Sequence, residues 1–175
     1  SGFTELKYFV TDSSGGTSEQ FTLPYSINPV NDAPVSDSTS ATGNEDETVI
    51  VTLSGSDAEG PINTFTLKSL PLNGSLYIDQ DLTELALVET NYVASSDKLK
   101  FYFVPDANYS GLATFDFIAS DGELQSSETS SEIEIIPVND APVSESTSAA
   151  GNEDETVIIT LSGSDVEGSI NTFTL

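Results

Sequence analysis

Apolar and polar residues alternate through most of this 175-residue chain. Side chains that switch face at every second residue are the mark of a half-buried β-strand. The runs "ETVIVTLS" (47–54), "INTFTLKS" (62–69), "GSLYID" (74–79), "KLKFYFVP" (98–105), "LATFDFIAS" (112–120) and "SEIEIIPV" (131–138) are predicted strands. The run "LTELALVE" (82–89) fits either a weaker strand or a short helical turn. Asn73-Gly74 fits a hairpin turn, since both residues tolerate positive φ. No segment has the spacing of an amphipathic helix. About seven short strands in roughly 100 residues, separated by turn residues, predict an all-β sandwich of immunoglobulin-like type.

The pattern is written more than once. Val30 matches Val138 and Phe65 matches Phe173, a period of 108 residues. From Val30 to Leu67 only five positions differ from Val138 to Leu175: Asp37/Glu145, Thr42/Ala150, Val51/Ile159, Ala58/Val166 and Pro61/Ser169. "SGFTELKYFVTD" (1–12) parallels "SGLATFDFIASD" (110–121), and both lead on to "PVNDAP". The expected organisation is the C-terminal part of one repeat (1–29), one complete repeat (30–137) and the N-terminal part of another (138–175), joined end to end. Nothing in the two partial repeats matches residues 68–109. Either a longer parent chain continues on both sides, or another chain supplies the missing strands.

Composition narrows the chemistry. The chain has 29 acidic and 4 basic side chains, for a formal net charge of −25. Nucleic acid and anionic membranes are therefore poor partners, because both need a basic face. Cations and basic surfaces suit it better. There is no Cys and no His, which removes disulfides, thiolate metal sites, the usual zinc ligands and the commonest general base. No apolar run is long enough to cross a bilayer.

The acidic residues gather in "PVND", "NEDE", "GSDAEG" and "ASDGE", all between predicted strands. Loops at one end of a sandwich cluster in space, so these carboxylates are expected to converge on the junctions between successive domains. Oxygen donors of this kind suit Ca²⁺, which takes six to eight oxygens in flexible geometry. The plain alternative is that they are solvated turn residues, since Asp, Asn, Gly and Ser are what turns use.

"GSDAEGPIN" (55–63) and "ASDGELQSSETSSEIEIIPVNDAP" (119–142) resemble a cadherin-type repeat, which carries an Asp-x-Asp motif with a following Asn, a late A-x-D-G strand end and an Asn-Asp linker. The ordered set "NEDE…GSDAEG…NGSLY…ASDGE…PVNDAP" is closer still to the cadherin-like tandem repeats of large bacterial surface proteins and adhesins, and it covers essentially the whole chain. The resemblance implies Ca²⁺ ligation by Asp57, Glu59, Asn63 and Asp121 facing a junction around Asn31 and Asp32, with counterparts Asp165, Glu167, Asn171 and Asp12. Glu45 or Glu47 resembles the glutamate that cadherins place before their first long strand. Glu45 would face the next junction around Asn139 and Asp140, and Glu153 is its counterpart. The second Asp of the motif is Glu here, the vertebrate Asp-Arg-Glu motif is absent, and the linker is one residue shorter than "NDNAP". One or two ions per junction are expected rather than three.

The functional expectation is a non-enzymatic, calcium-stiffened rod segment of an extracellular or cell-surface bacterial protein acting in adhesion. Its partners would be adjacent repeats, other copies of the chain or cell-surface components. The alternative is a subunit of an extracellular filament or sheath whose partial repeats are completed by neighbouring chains. A carboxylate pair acting on glycosides is the enzymatic option. Acidic loops that recur in each repeat fit a repeated joint better than one active site. Even about three Ca²⁺ at each of two junctions would offset roughly 12 of the 25 charges, so solubility and separation of identical neighbours would take the rest.

Overall fold

In the computed structural model, which describes residues 3–175, every regular element is a β-strand. Ser1 and Gly2, which open the parallel with residues 110–121, lie outside the described residues. The chain divides after Asp32 into two compact units. In the first, β1 (Phe3–Tyr8) and β2 (Phe21–Ser26) form an antiparallel hairpin with Leu6 opposite Leu23.

The second unit contains β3 (Val35–Ser36), β4 (Thr39–Asn44), β5 (Val49–Ser56), β6 (Thr64–Leu67), β7 (Gly74–Tyr77), β8 (Asn91–Val93), β9 (Lys98–Pro105), β10 (Gly111–Ser120) and β11 (Thr129–Ile136). They make two sheets, ordered β4-β11-β10-β6-β8 and β3-β5-β9-β7. Neighbouring strands are antiparallel except β4, which runs parallel to β11. Two short strands follow, β12 (Val143–Glu145) and β13 (Ser162–Ser164), paired with each other.

The core lies between the two sheets. Phe65, Phe115, Phe117 and Ile133 of one sheet meet Val51, Leu53, Phe101 and Phe103 of the other, all fully buried. Each contributes about 1.5–3 kcal/mol of apolar burial. The rings meet edge-on: Phe65 and Phe117 have centroids 6.0 Å apart at 61°, and Tyr92 and Phe101 lie 5.3 Å apart at 88°. Such geometry adds to the burial, because a positive ring edge faces a negative ring face.

The six alternating runs are all strands. The complete repeat nevertheless has nine strands rather than about seven. The additional β3 and β4 come from "VSDSTSATGN", which has no apolar alternation. Hydrogen bonds between small polar side chains hold these edge strands: Ser36 Oγ lies 2.7 Å from Thr129 Oγ1, and Thr39 Oγ1 donates to Ser131 Oγ at 2.9 Å. The third addition, β8, is pinned by Thr66 Oγ1 donating to Asn91 Oδ1 at 2.6 Å and by the ring of Tyr92.

Two local expectations are corrected. Asn73 has φ of 60°, yet the turn is no hairpin, because β6 and β7 lie in different sheets. Gly74 is required for another reason: a Cβ there would stand 2.5 Å from the Phe103 ring. Residues 82–89 form neither a strand nor a helical turn, only a bridge from Leu85 to Tyr77. Leu82 and Glu89 both have positive φ, which breaks an extended run. Asp79 shapes this loop by accepting hydrogen bonds from Thr83 Oγ1 at 2.7 Å and Glu84 N at 2.9 Å.

The near-identical segment 138–175 is an internal control. It reproduces several turns and short-range bonds of 30–67, but not β4, β6 or most of β5. Val143 pairs with Ser164 as Val35 pairs with Ser56. Asp154 has φ of 62° where Asp46 has 60°. Asn152 Nδ2 donates to Glu155 Oε2 as Asn44 Nδ2 donates to Glu47 Oε2. It does not reproduce the burial: Phe65 is 0% exposed and Phe173 50%, Val51 0% and Ile159 64%. Among the described residues, no strand pairs with the copy as β9 pairs with β5.

Two outcomes follow from these contacts. Phe65→Ala should destabilise the sandwich by about 3–5 kcal/mol in chemical denaturation, whereas Phe173→Ala should shift it by no more than about 0.5 kcal/mol. The hydroxyl of Thr83, followed by the Glu84 amide, holds the Asp79 carboxyl below its ordinary value of 3.8. A folded pKa below the unfolded one means a stabilising contribution that is present above the unfolded value and lost as pH falls through the folded value. In an NMR titration Thr83→Val should move Asp79 upward toward 3.8; an unmoved midpoint would contradict this assignment.

Candidate functional site: the acidic loops and the linker

The loop between β5 and β6 begins with an Asx turn. Asp57 Oδ1 accepts hydrogen bonds from Glu59 N at 2.8 Å and Gly60 N at 2.9 Å. Its other oxygen, Oδ2, is buried and has no hydrogen-bond partner. A buried carboxylate oxygen in that state costs free energy unless something positive meets it.

The same end of the sandwich carries the turn after β10. Asp121 Oδ1 accepts from Glu123 N at 2.7 Å and Leu124 N at 2.6 Å. The two loops are tied together, since Asn63 Nδ2 donates to the Asp121 carbonyl and Asn63 N donates to Ser120 O at 2.7 Å. Gly122 makes that approach possible. It has φ of 100°, and a Cβ there would stand 2.7 Å from Asn63 Nδ2. Asp97, which sequence reasoning passed over, also reaches this end: its Oδ1 accepts from Ile62 N at 2.8 Å. A lone Asp in "SSDKLK" carries no motif, so only the fold reveals it.

At the opposite side of the repeat Glu45 meets the linker. It is the one buried charged residue among the described residues, at 4% exposure. Its N–H donates to Ile136 O at 2.9 Å, and its Oε1 accepts from Val138 N at 2.6 Å. These bonds bracket Pro137, whose φ is already fixed. Glu47 is engaged instead by Asn44. Beyond the linker, Glu167 N donates to Asp165 Oδ1 at 3.1 Å, repeating the Asp57 turn, and Asp140 N donates to Glu167 Oε2 at 3.2 Å. Asn139 Nδ2 donates to Asp140 O at 2.8 Å. The segment Val138–Asp140 is thus held by Glu45 on one side and Glu167 on the other.

The remaining candidates are placed separately. Glu153 and Asn171 are exposed. Asp12, in the first unit, accepts from Ser14 N at 2.9 Å and Gly16 N at 2.8 Å. That arrangement resembles the turn at Asp121. Asn31 and Asp32 close the first unit. Among the described residues, no group of three or more acidic side chains converges closely enough to hold a metal ion.

An all-β sandwich of two sheets, with acidic turns at its ends and a pinned linker, is an immunoglobulin-like structural module. The family model for the bacterial Ig domain matches residues 31–134, and the chain belongs to that family. No curated protein matches. Among solved structures the chain is similar to an endo-fucoidan hydrolase of glycoside hydrolase family 107, at 22% identity and a TM-score of 0.44, covering 78% of this chain and 19% of that one. It is also similar to domains 4 and 5 of the S-layer protein SbsC, at 12% identity and a TM-score of 0.38, covering 77% and 70%. A conjugative transposon lipoprotein from Bacteroides eggerthii gives 12% identity and a TM-score of 0.39, covering 58% and 94%. The chain thus spans about a fifth of the hydrolase's length.

The Glu45 clamp has a direct test. Glu45→Ala should speed hydrogen exchange of the Val138 amide by about tenfold or more, as expected when a bond to a charged acceptor worth roughly 1.5–3 kcal/mol is lost. Glu45→Gln, which keeps an acceptor oxygen, should speed it less. Equal rates in all three proteins would show that the carboxylate does not hold the linker.

Proposed function

We propose that this chain is a calcium-stiffened, rod-forming module of a bacterial surface protein, with Ca²⁺ taken at the ends of its sandwiches. The role is mechanical rather than catalytic: it sets the distance and direction between successive domains. The observation that carries this reading is the buried, unpartnered Oδ2 of Asp57. Its partner oxygen is already occupied by two backbone amides, so the free oxygen needs a cation or water. A hard cation suits the oxygen donors at this end of the sandwich, where Asn63 and the Asp121 carbonyl are tied together. The family supports a structural module of surface proteins. The finer likeness to cadherin-type repeats supports the choice of ion.

A cation that binds only the ordered loops would stabilise them by mass action. At the opposite side of the repeat the chain is already restricted, by Pro137 and the Glu45 bonds. Flexible linkers give way to stiff ones when their remaining torsions are fixed. Adhesion would then follow from projection: a stiff stalk holds a binding domain away from the cell.

Isothermal titration should show Ca²⁺ binding with a dissociation constant on the order of 10⁻⁴–10⁻³ M, the range of extracellular modules. Asp57→Asn should weaken it by about tenfold or more. Small-angle scattering should give a longer, narrower distance distribution with Ca²⁺ than with chelator. No heat of binding, together with identical scattering profiles, would refute the calcium joint.

A further inference from the structure

The acidity of this chain is unevenly distributed over its two sheet faces. The outward positions of β5, β9 and β7 carry no carboxylate, although the chain has 29. They present Lys98 and Lys100, two of only four basic residues, beside Tyr102, Tyr77 and the exposed Ile50. Register places these side by side: Lys100 opposite Thr52, Lys98 opposite Ser54, and Tyr102 between Ile50 and Tyr77. Lys98 and Lys100 also line a groove of about 340 Å³ with Val93 and Leu99. Carboxylates border this face, among them Asp97 and Asp106 at the ends of β9, Asp37, bonded by Ser54 Oγ, and Asp79, bonded by its own loop.

The outer face of the other sheet has the opposite character. Glu132 and Glu134 are exposed on β11 at alternate positions. Asp116 lies on the neighbouring strand, held by Ser69 and Ser130. Two ammonium groups separated by one residue along β9 therefore match two carboxylates separated by one residue along β11, because every strand has nearly the same rise per residue.

We propose that the outer face of the β3-β5-β9-β7 sheet is a lateral docking surface for a second copy of this chain, which it contacts on the partner's Glu132–Glu134 face. The two faces lie on opposite sides of one sandwich, so the contact is heterologous. Copies related in this way add side by side without closing into a dimer. Each exposed ion pair is weak, and Tyr102, Tyr77 and Ile50 supply the apolar area that steadies it. The overall negative charge opposes approach at low ionic strength, and screening at about 0.15 M confines that repulsion to roughly 8 Å. The contact uses neither the calcium-ligand candidates nor the Glu45 clamp.

The test is a charge swap read by sedimentation velocity at about 0.15 M salt. Wild-type chain should form species larger than dimers as concentration rises. The Lys98→Glu/Lys100→Glu variant and the Glu132→Lys/Glu134→Lys variant should each self-associate at least about tenfold more weakly. An equimolar mixture of the two should recover association, since each now offers the face the other lacks. A wild-type protein that stays monomeric would overturn the proposal. So would variants that associate like wild type, which would point to the apolar segment 157–161, and so would a mixture that fails to recover. A monomer retained on a carboxylated polysaccharide through Lys98 and Lys100 would reassign the face and overturn it equally.

Discussion

The closure of β9 between β5 and β7 is the constraint on which the rest of this structure depends. In β5, Val49, Val51 and Leu53 are buried only because β9 pairs alongside and β10 and β11 cover them from the opposite sheet. The partner strand lies about fifty residues along the chain, so loop-closure entropy must be met before any of that burial is gained. Segment 155–162 has the same residues apart from one Val-to-Ile change, and without a β9 its apolar side chains face solvent. Local sequence is therefore not what hides this strand. The same holds for the first unit, where β1 and β2 pair in the register of β10 and β11. Leu6 and Tyr8 are nonetheless exposed, whereas Phe115 and Phe117 are buried.

Polar features behave in the opposite way. The Asx turn of Asp57 recurs at Asp165, the positive φ of Asp46 recurs at Asp154, and the Asn44–Glu47 bond recurs at Asn152–Glu155. These bonds join residues two or three apart, so they form in both copies of the sequence. Even the close approach of Gly43 to Val49 recurs at Gly151 and Val157, where a Cβ would stand 2.5 Å from the Val157 side chain. These turns therefore do not depend on closure of the sandwich. The exception is Glu45. Its contact with Val138 spans 93 residues and exists because β4 runs beside β11. The clamp on the linker is consequently a product of the closed sandwich, and the exposed Glu153 shows what that glutamate is without it.

This division explains what could be read from the sequence. Strands with one buried face announce themselves by alternation, and "KLKFYFVP" coincides with β9 residue for residue. Edge strands do not, because β3 and β4 are held by Ser36, Thr39 and their hydroxyl partners rather than by apolar side chains. The turn at Asn73 was legible as a turn but not in its direction, since a change of sheet depends on Phe103 from a distant strand. In the candidate site, the loops of Asp57 and Asp121 were recognisable as acidic turns, and their meeting through Asn63 required the antiparallel pairing of β6 with β10. Asp97 was invisible for the same reason: its role as the partner of Ile62 N arises from packing, with no local motif to mark it.

The distribution of charge ties these levels together. A domain carrying so much negative charge can fold only if its carboxylates avoid the core and one another. Here they lie largely at strand ends and on one outer face, and the one buried glutamate among the described residues has its carboxylate met by the Val138 amide rather than by a basic side chain. With Lys68 already paired with Glu89 at 2.8 Å, Lys98 and Lys100 are the positive charges remaining on the complete sandwich, and they share the face whose β5, β9 and β7 positions carry no carboxylate. Ends that repel like ends, and one face opposite in character to the other, leave a sandwich with two distinct directions. Along the chain, like-charged ends repel one another. Across the chain, unlike faces can approach directly. Acidity that looks uniform in composition therefore becomes directional once the fold has sorted it.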